Sequence, residues 1–222
     1  MIGDRMENPL FQFRDIMYKD ILKIDHLSIA TKTITALVGK SGAGKSTILK
    51  VLNKTISPTG GKVFYEGRDL KEVDSIKHRR QVLYMNQKPY LFEGSIKDNL
   101  IIGFDIQEVD PPNDEALNAM LKKVKLNKKL DQKAAHLSGG EAQRLTLARL
   151  LLLDAPVYLL DEPSSALDDQ SADIIFKAIV DFSVKHQKSL IMITHTKAHA
   201  KQFANHIITL DGGRVIKEER NG

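Results

Sequence analysis

The chain has 222 residues, of which 42% are hydrophobic and 27% are charged, a composition ordinary for a globular protein and sufficient for one large α/β domain. It contains no cysteine, which excludes disulfide bonds and thiolate zinc sites. The net charge of +5 is compatible with anionic ligands. No segment approaches the roughly 18 apolar residues of a membrane span, and the charged first residues lack the apolar core of a signal peptide.

Three short strands are predicted in the N-terminal part of the chain, at residues 10–17, 24–30 and 62–65. A short polar turn joins the first two, with no helix between them. This arrangement predicts a small antiparallel sheet that packs beside a larger α/β core.

A glycine-rich loop lies between a predicted buried strand at residues 33–38 and a predicted helix at residues 46–52. The loop fits the pattern G-x-x-x-x-G-K-S/T at every specified position, through Gly39, Lys40, Ser41, Gly42, Ala43, Gly44, Lys45, Ser46 and Thr47. In this strand–loop–helix context the pattern predicts a nucleoside triphosphate with Mg²⁺ as the ligand, because backbone N–H groups converge on phosphate oxygens at a helix N-terminus. Lys45 is expected to contact the β- and γ-phosphates, and the Ser46 hydroxyl is expected to contact the metal.

Helical signals dominate residues 88–153, which predicts a helical insertion into the core. A proline-containing loop at residues 110–114 precedes a helix expected to begin near Glu115. We expect the densest cluster of positive charge to be the solvated face of a helix whose apolar stripe is Leu121, Val124 and Leu130; anionic phospholipid or nucleic acid is the less favoured alternative. This cluster comprises Lys122, Lys123, Lys125, Lys128, Lys129 and Lys133.

The segment Leu137-Ser-Gly-Gly-Glu-Ala-Gln-Arg144 has the pattern of a capping box, with Ser138 as the N-cap and Glu141 three residues later. Two glycines, Gly139 and Gly140, nevertheless begin the predicted helix, and each costs about 1 kcal/mol relative to alanine. A phosphate group that approaches the N–H groups of this helix would explain the bare backbone, with Ser138 as a further donor.

Four apolar residues at positions 157–160 predict a buried strand that ends in Asp161 and Glu162. Ligands of open α/β sheets bind at the carboxyl ends of parallel strands. After a phosphate loop in the same chain, Asp161 is therefore expected to hold Mg²⁺, and Glu162 is expected to accept a proton from the attacking water.

Strand and helix signals continue to alternate in the C-terminal part, which indicates a mostly parallel sheet. A helix is predicted at residues 172–186 and a buried strand at residues 189–194. Residues 207–210 and 214–216 flank Asp211-Gly212-Gly213 and predict a hairpin.

Taken together, the phosphate loop, the Leu-Ser-Gly-Gly-Glu-x-Gln-Arg segment and the Asp-Glu strand resemble the ATP-binding cassette (ABC) family over essentially the whole chain. The resemblance implies an α/β fold with a RecA-like, mostly parallel core, an N-terminal antiparallel β-subdomain and an inserted helical subdomain. We expect one domain over residues 1–222, with the core in residues 1–87 and 154–222 and the helical subdomain in residues 88–153.

The resemblance also implies that two cassettes pair head to tail, so that each ATP lies between the phosphate loop of one subunit and Ser138, Gly139, Gly140 and Glu141 of the other. Further roles are implied at single positions. Tyr18 resembles the aromatic residue that stacks on adenine, and Gln87 resembles the glutamine that contacts Mg²⁺ and water. Asp168 resembles part of the loop that contacts the opposite subunit. His195 resembles the histidine that faces the γ-phosphate.

The function implied is that of a detached ATPase subunit that forms a homodimer around two MgATP molecules and drives a transmembrane permease on a separate chain, from the cytoplasmic face of the membrane. Residues 89–100 are similar to export-type cassettes, and the chain weakly resembles bacterial two-component ATPases proposed for iron efflux. No nucleic-acid partner is expected. The alternative is a non-transport cassette, such as an iron–sulfur cluster assembly ATPase.

Three large apolar residues, Tyr90, Leu91 and Phe92, follow Gln87 closely. We expect at least one of them to be partly exposed and to form an apolar patch on which a short helix of the permease docks.

Overall fold

The computed structural model describes residues 9–194 and 196–220. Within these residues, ten strands form two sheets. The four-stranded sheet has the order β2-β1-β4-β5 and is antiparallel, with β1 at Phe11–Tyr18, β2 at Leu22–Ile29, β4 at Gly60–Tyr65 and β5 at Arg68–Asp69.

The six-stranded sheet carries the phosphate loop and has the order β10-β9-β3-β8-β7-β6. All of its neighbouring strands are parallel except the hairpin of β9 and β10. Its strands are β3 (Ile34–Gly39), β6 (Val82–Met85), β7 (Val157–Asp161), β8 (Ser189–Ile193), β9 (His206–Asp211) and β10 (Arg214–Arg220).

Seven α-helices lie in the described residues. They are α1 (Lys45–Leu52), α2 (Ser75–Gln81), α3 (Ile96–Gln107), α4 (Asp114–Lys123), α5 (Gly139–Leu152), α6 (Asp169–Lys185) and α7 (Lys197–Phe203). Helices α3, α4 and α5 follow one another between β6 and β7, where the sequence predicts a helical insertion. The exact division of the chain into subdomains stays a prediction.

Each face of the six-stranded sheet supports its own apolar core. Along β7, Leu159 contributes to the core shared with α1 and the antiparallel sheet, whereas Tyr158 and Leu160 contribute to the core shared with α5 and α6. This alternation follows from the period-2 geometry of a strand, and burial on both faces explains why β7 and β8 are apolar almost throughout. The predicted α/β fold is confirmed.

The predicted helical placement of the lysine cluster is wrong beyond Lys123. Helix α4 ends there because Lys125 adopts a left-handed φ of 55°, while the Leu126 N–H donates to the Leu121 carbonyl and the Lys125 N–H donates to the Lys122 carbonyl. This is a Schellman ending. The lysines beyond it lie in a connecting segment.

Several elements have no counterpart in the sequence predictions. Helices α2 and α7 have seven residues each, and strand β6 has four. Among the described residues, no helix is both long enough and apolar enough to cross a membrane.

Candidate nucleotide-binding and catalytic site

The phosphate loop connects the carboxyl end of β3 to the N-terminus of α1. Gly44 is the N-cap of α1 and has a φ of 93°, a value that favours glycine. A Cβ at Gly44 would lie 2.5 Å from the Leu22 side chain, so the site also lacks the space for a larger residue. Because glycine has no side chain with which to cap a helix, the first-turn N–H groups of α1 can serve an anionic ligand instead.

Lys45 is buried beneath this loop and holds its backbone. Its Nζ donates to the carbonyl oxygens of Gly39 and Lys40, each at 2.8 Å. Burial lowers the pKa of Lys45 below its ordinary value, whereas the negative charges of Glu162 and Asp161 act to raise it. These hydrogen bonds keep the Lys45 ammonium group close to the position where the sequence predicts phosphate oxygens.

Two of the three predicted metal ligands, Ser46 and Asp161, are in contact. The Ser46 hydroxyl donates to Oδ1 of Asp161 at 3.1 Å, although the two residues are 115 positions apart in the chain. The other carboxylate oxygen, Oδ2, accepts a hydrogen bond from the hydroxyl of Tyr84 at 3.0 Å. Burial, followed by the charge of Asp161, raises the pKa of Tyr84, so the phenol stays protonated.

A hydroxyl and a carboxylate are hard oxygen donors of the kind that Mg²⁺ prefers. No group of three or more His, Cys, Asp or Glu side chains that could hold a metal alone is present within residues 9–194 and 196–220. Mg²⁺ does not need one, since it is usually bound through one or two carboxylates together with substrate phosphates and water. Ser46 and Asp161 therefore fit this ion.

Glu162 and Gln87 meet at the carboxyl ends of neighbouring strands β7 and β6. Nε2 of Gln87 donates to Oε2 of Glu162 at 2.5 Å. Glu162 has a φ of 53°, a left-handed backbone conformation that is unfavourable for residues with a side chain and that recurs at functional sites. The backbone turns here directly after the strand and presents the carboxylate at the edge of the sheet.

The segment around Ser138 forms the capping box that the sequence predicts. The Ser138 hydroxyl accepts from the Glu141 N–H at 3.3 Å, and the Glu141 carboxylate accepts from the Ser138 N–H at 3.0 Å. Lys128 pairs with the same carboxylate at 2.9 Å. The Lys128 ammonium and the Ser138 N–H hold the pKa of Glu141 below its ordinary value.

A buried glutamine, Gln143, connects this helix to the backbone that follows β7. Its Nε2 donates to the Glu162 carbonyl at 3.0 Å and to the Ser165 hydroxyl at 3.3 Å, and its Oε1 accepts from the Ala166 N–H at 3.0 Å. Close packing adds to these bonds, because a Cβ at Gly140 would lie 2.8 Å from the Leu167 side chain. The start of α5 and the loop after Glu162 are therefore one connected unit within the chain.

The remaining predicted residues have weaker links to the site. Tyr18 ends β1, and the turn after it lies beside the loop, since a Cβ at Gly44 would be 3.3 Å from the Ile21 carbonyl oxygen. Asp168 is the N-cap of α6 and accepts from the Ser171 N–H at 3.0 Å. His195, predicted to face the γ-phosphate, lies outside the described residues.

Comparison with known proteins decides the family. The family model described as "ABC transporter" matches residues 22–165. The chain belongs to the ABC transporter family. Homologous ABC ATPase domains hydrolyse ATP in transport-coupled systems, and the chain is an ATPase domain of this family.

Individual relatives support this assignment. The mycobactin import ATP-binding/permease protein IrtB of Mycolicibacterium smegmatis is 34% identical over 97% of this chain and 39% of its own length. The phosphate import ATP-binding protein PstB 3 of Natronomonas pharaonis is 32% identical over 97% of this chain and 83% of its own length. Among solved structures, a bacterial Atm1-family ABC exporter with ATP bound has a TM-score of 0.86 at 26% identity, over 97% of this chain and 39% of that chain.

The chain spans less than half the length of several curated relatives that it matches. For five such relatives, IrtB among them, it covers between 16% and 39% of the relative's own length. Two of the relatives are importers by name and the similar solved structure is an exporter, so the family assignment identifies an ABC ATPase and leaves cargo and direction to be proposed.

Sequence reasoning missed the roles of Tyr84 and Gln143. Each residue had a signal in the sequence. Tyr84 lies in a short apolar run and Gln143 lies among the buried positions of α5. A buried polar side chain needs hydrogen-bond partners. Their partners could not be named from the sequence, since they depend on which strands are neighbours in the sheet.

Proposed function

We propose that this chain binds ATP at the loop Gly39–Thr47 and hydrolyses it with Glu162 as the general base. Glu162 takes a proton from water as the water oxygen bonds to the γ-phosphorus and the bond to the β–γ bridging oxygen breaks, which releases ADP and phosphate. Lys45 binds the β- and γ-phosphate oxygens. For His195, which lies outside the described residues, the family resemblance alone implies a position facing the γ-phosphate. Mg²⁺, held by Ser46 and Asp161 with Gln87 nearby, would neutralise charge on the phosphate oxygens.

The observation that carries this proposal is the meeting of separate segments at one edge of the sheet. Ser46 from α1 contacts Asp161 of β7 at 3.1 Å, and Gln87 after β6 contacts Glu162 after β7 at 2.5 Å. Parallel strands bring their carboxyl ends to the same edge, where ligands of α/β sheets bind. Phosphate-binding, metal-binding and proton-accepting groups are thus supplied together. The exporter with ATP bound, which shares 26% identity with this chain, supports the same ligand.

We further propose that the site is completed by a second copy of the chain, with Ser138, Gly139, Gly140 and Glu141 facing the nucleotide of the partner and Asp168 in the interface. Gly139 is the informative residue. A Cβ at Gly139 would meet only the Ala166 Cβ, at the ordinary distance of 3.9 Å, among the described residues. Packing within the chain therefore explains Gly140 and does not explain Gly139, whereas a phosphate at the helix N-terminus explains both.

The transport partner is proposed to be a permease that docks beside Tyr90. The Tyr90 side chain is 66% exposed, as expected for at least one residue of this segment. It borders a groove with Phe92, Ile102, Ile106 and Leu153, and the Phe92 ring lies 5.1 Å from the Arg149 guanidinium. A mostly apolar groove with a cationic edge suits an amphipathic helix.

The permease is proposed to be a separate chain, and the assembly is proposed to work at the cytoplasmic face of a membrane. The high coverage of PstB 3, an ATP-binding protein by name, supports this arrangement. Export is the proposed direction, supported by the export-type segment at residues 89–100 and by the similarity to the Atm1-family exporter.

The direct test is phosphate release from MgATP by the purified chain, measured for wild type and for Glu162→Gln. We expect hydrolysis by wild type and a loss of roughly 10²- to 10⁴-fold in the variant. Equal rates for the two proteins would overturn the assignment of the base.

A further inference from the structure

Tyr84 occupies a position from which it can control the predicted metal-binding carboxylate. It lies on β6 in register with Leu159 of the parallel neighbour β7, so its side chain reaches the end of β7, where its hydroxyl is 3.0 Å from Oδ2 of Asp161. Asp161 is only 3% exposed. A carboxylate that is removed from water depends on such hydrogen bonds for both its charge and its orientation.

The two oxygens of Asp161 have different kinds of partner. Oδ1 accepts the proton of the Ser46 hydroxyl, whose oxygen lone pairs are those that would bind a cation, so this oxygen belongs to the predicted metal-binding side of the carboxylate. Oδ2 accepts from Tyr84, to which no phosphate or metal contact is assigned. The bond from Tyr84 can therefore persist while the Ser46 side of the carboxylate serves the ion.

The hydroxyl of Tyr84 has a second neighbour, Oδ1 of Asn86, at 3.2 Å. A phenol has one proton, so it donates to a single acceptor, and the charged carboxylate at the shorter distance is the stronger one. The amide of Asn86 can be turned so that its nitrogen donates to the Tyr84 oxygen, since the two orientations differ only in the assignment of O and N. With the amide in that orientation, the hydrogen bonds run in one direction, from Asn86 to Tyr84 and from Tyr84 to Asp161.

We propose that Tyr84 is a positioning residue that fixes the Asp161 carboxylate in the orientation that binds Mg²⁺ next to Ser46. This inference rests on the proposed function, because it assumes that a metal–nucleotide complex binds at this site. Tyr84 acts through Asp161 and touches neither substrate nor metal. Residues that orient metal ligands in this way typically change metal affinity roughly 10- to 100-fold when they are altered.

The test uses Tyr84→Phe, which removes one hydroxyl and keeps the ring that packs against the core. Tyr158→Phe is the matched control, since it removes a buried hydroxyl from the start of β7, on the opposite face of the same strand from Leu159. Mn²⁺ is titrated into each ADP-bound protein, and free Mn²⁺ is followed by electron paramagnetic resonance. ADP affinity without metal and the midpoint of urea unfolding are measured in parallel. Asp161→Asn, which removes a predicted metal ligand, shows how far Mn²⁺ affinity falls when a ligand itself is lost.

We expect Tyr84→Phe to weaken Mn²⁺ binding by roughly 10- to 100-fold, with ADP affinity in the absence of metal within about twofold of wild type. In hydrolysis assays the Mg²⁺ concentration for half-maximal rate should rise, while kcat at saturating Mg²⁺ stays close to that of wild type. Tyr158→Phe should bind Mn²⁺ as wild type does.

Unchanged Mn²⁺ affinity in Tyr84→Phe would overturn the inference and leave the proposed function intact. Equal losses in Tyr84→Phe and Tyr158→Phe would also overturn it, because they would indicate a general effect of losing a buried hydroxyl. If wild type binds neither ADP nor Mn²⁺ with ADP, the proposed function fails and the inference fails with it.

Discussion

Gln87 donates a hydrogen bond of 2.5 Å to the carboxylate of Glu162, which links the loop leaving β6 to the proposed catalytic base. The bonded oxygen of Glu162 is thereby occupied by an amide. For Glu162 to accept a proton from water, this contact must lengthen or the other carboxylate oxygen must act. Gln87 lies three residues before Tyr90, which borders the proposed docking groove. A partner that moves the segment around Tyr90 would therefore change the distance between Gln87 and Glu162.

Lys45→Ala should weaken MgATP binding by about 100-fold or more, because the loop loses the ammonium that makes charge-assisted hydrogen bonds to phosphate oxygens. Lys50→Ala is the control, since Lys50 lies in the last turn of the same helix, away from the loop. Calorimetry with MgATP measures both variants. Wild-type affinity in Lys45→Ala would show that the loop does not bind the phosphates.

Ser138→Arg should abolish ATP hydrolysis while each subunit still binds ATP, because the cation would obstruct the nucleotide held by the partner. The variant also removes a helix cap, which costs about 1 kcal/mol. Ser95→Arg controls for this loss, since Ser95 forms the same type of capping box with Asp98 at the start of α3. If both variants lower stability and hydrolysis equally, Ser138 is a helix cap and nothing more.

The proposed permease contact can be tested by a single engineered thiol, because the chain contains no cysteine. A cleavable thiol-reactive cross-linker on Tyr90→Cys in native membranes should capture a protein with several membrane spans. Ile76→Cys, at a side chain 62% exposed on α2, should not capture it. The same products from both positions, or an exclusively soluble product from Tyr90→Cys, would remove the docking site from this groove.

Glu141→Gln should lower the free energy of unfolding by about 0.5 kcal/mol at neutral pH, through loss of the partly exposed ion pair with Lys128. The pKa of Glu141 is depressed in the folded protein, so its stabilisation is present above the ordinary glutamate pKa of about 4.3 and is lost as the pH falls through the folded value. Urea unfolding at several pH values should therefore show the two proteins converging in acid. A difference that grows in acid would contradict this account of Glu141.

Much of the site could be predicted from sequence because its elements are local. The strand, loop and helix around Lys45 are contiguous, and the capping box of Ser138 and Glu141 spans one helical turn, so short patterns specify them. The contacts of Tyr84 and Gln143 join segments separated by 77 and 19 positions and depend on the packing of the sheet. Helix α2 was missed for a different reason. Its sequence, Ser-Ile-Lys-His-Arg-Arg-Gln, is largely polar, and its one buried residue is His78.

In the proposed dimer, ATP joins two copies of this chain through the phosphate loop of one and Ser138–Glu141 of the other. Glu162→Gln should bind ATP and release it slowly because hydrolysis is blocked. Light scattering coupled to size exclusion should then show twice the 24.9 kDa subunit mass with MgATP and the subunit mass with MgADP. Adding Ser138→Arg to the same variant should leave a monomer with either nucleotide. A Glu162→Gln protein that binds MgATP and remains monomeric, or a double variant that still dimerises, would contradict the account.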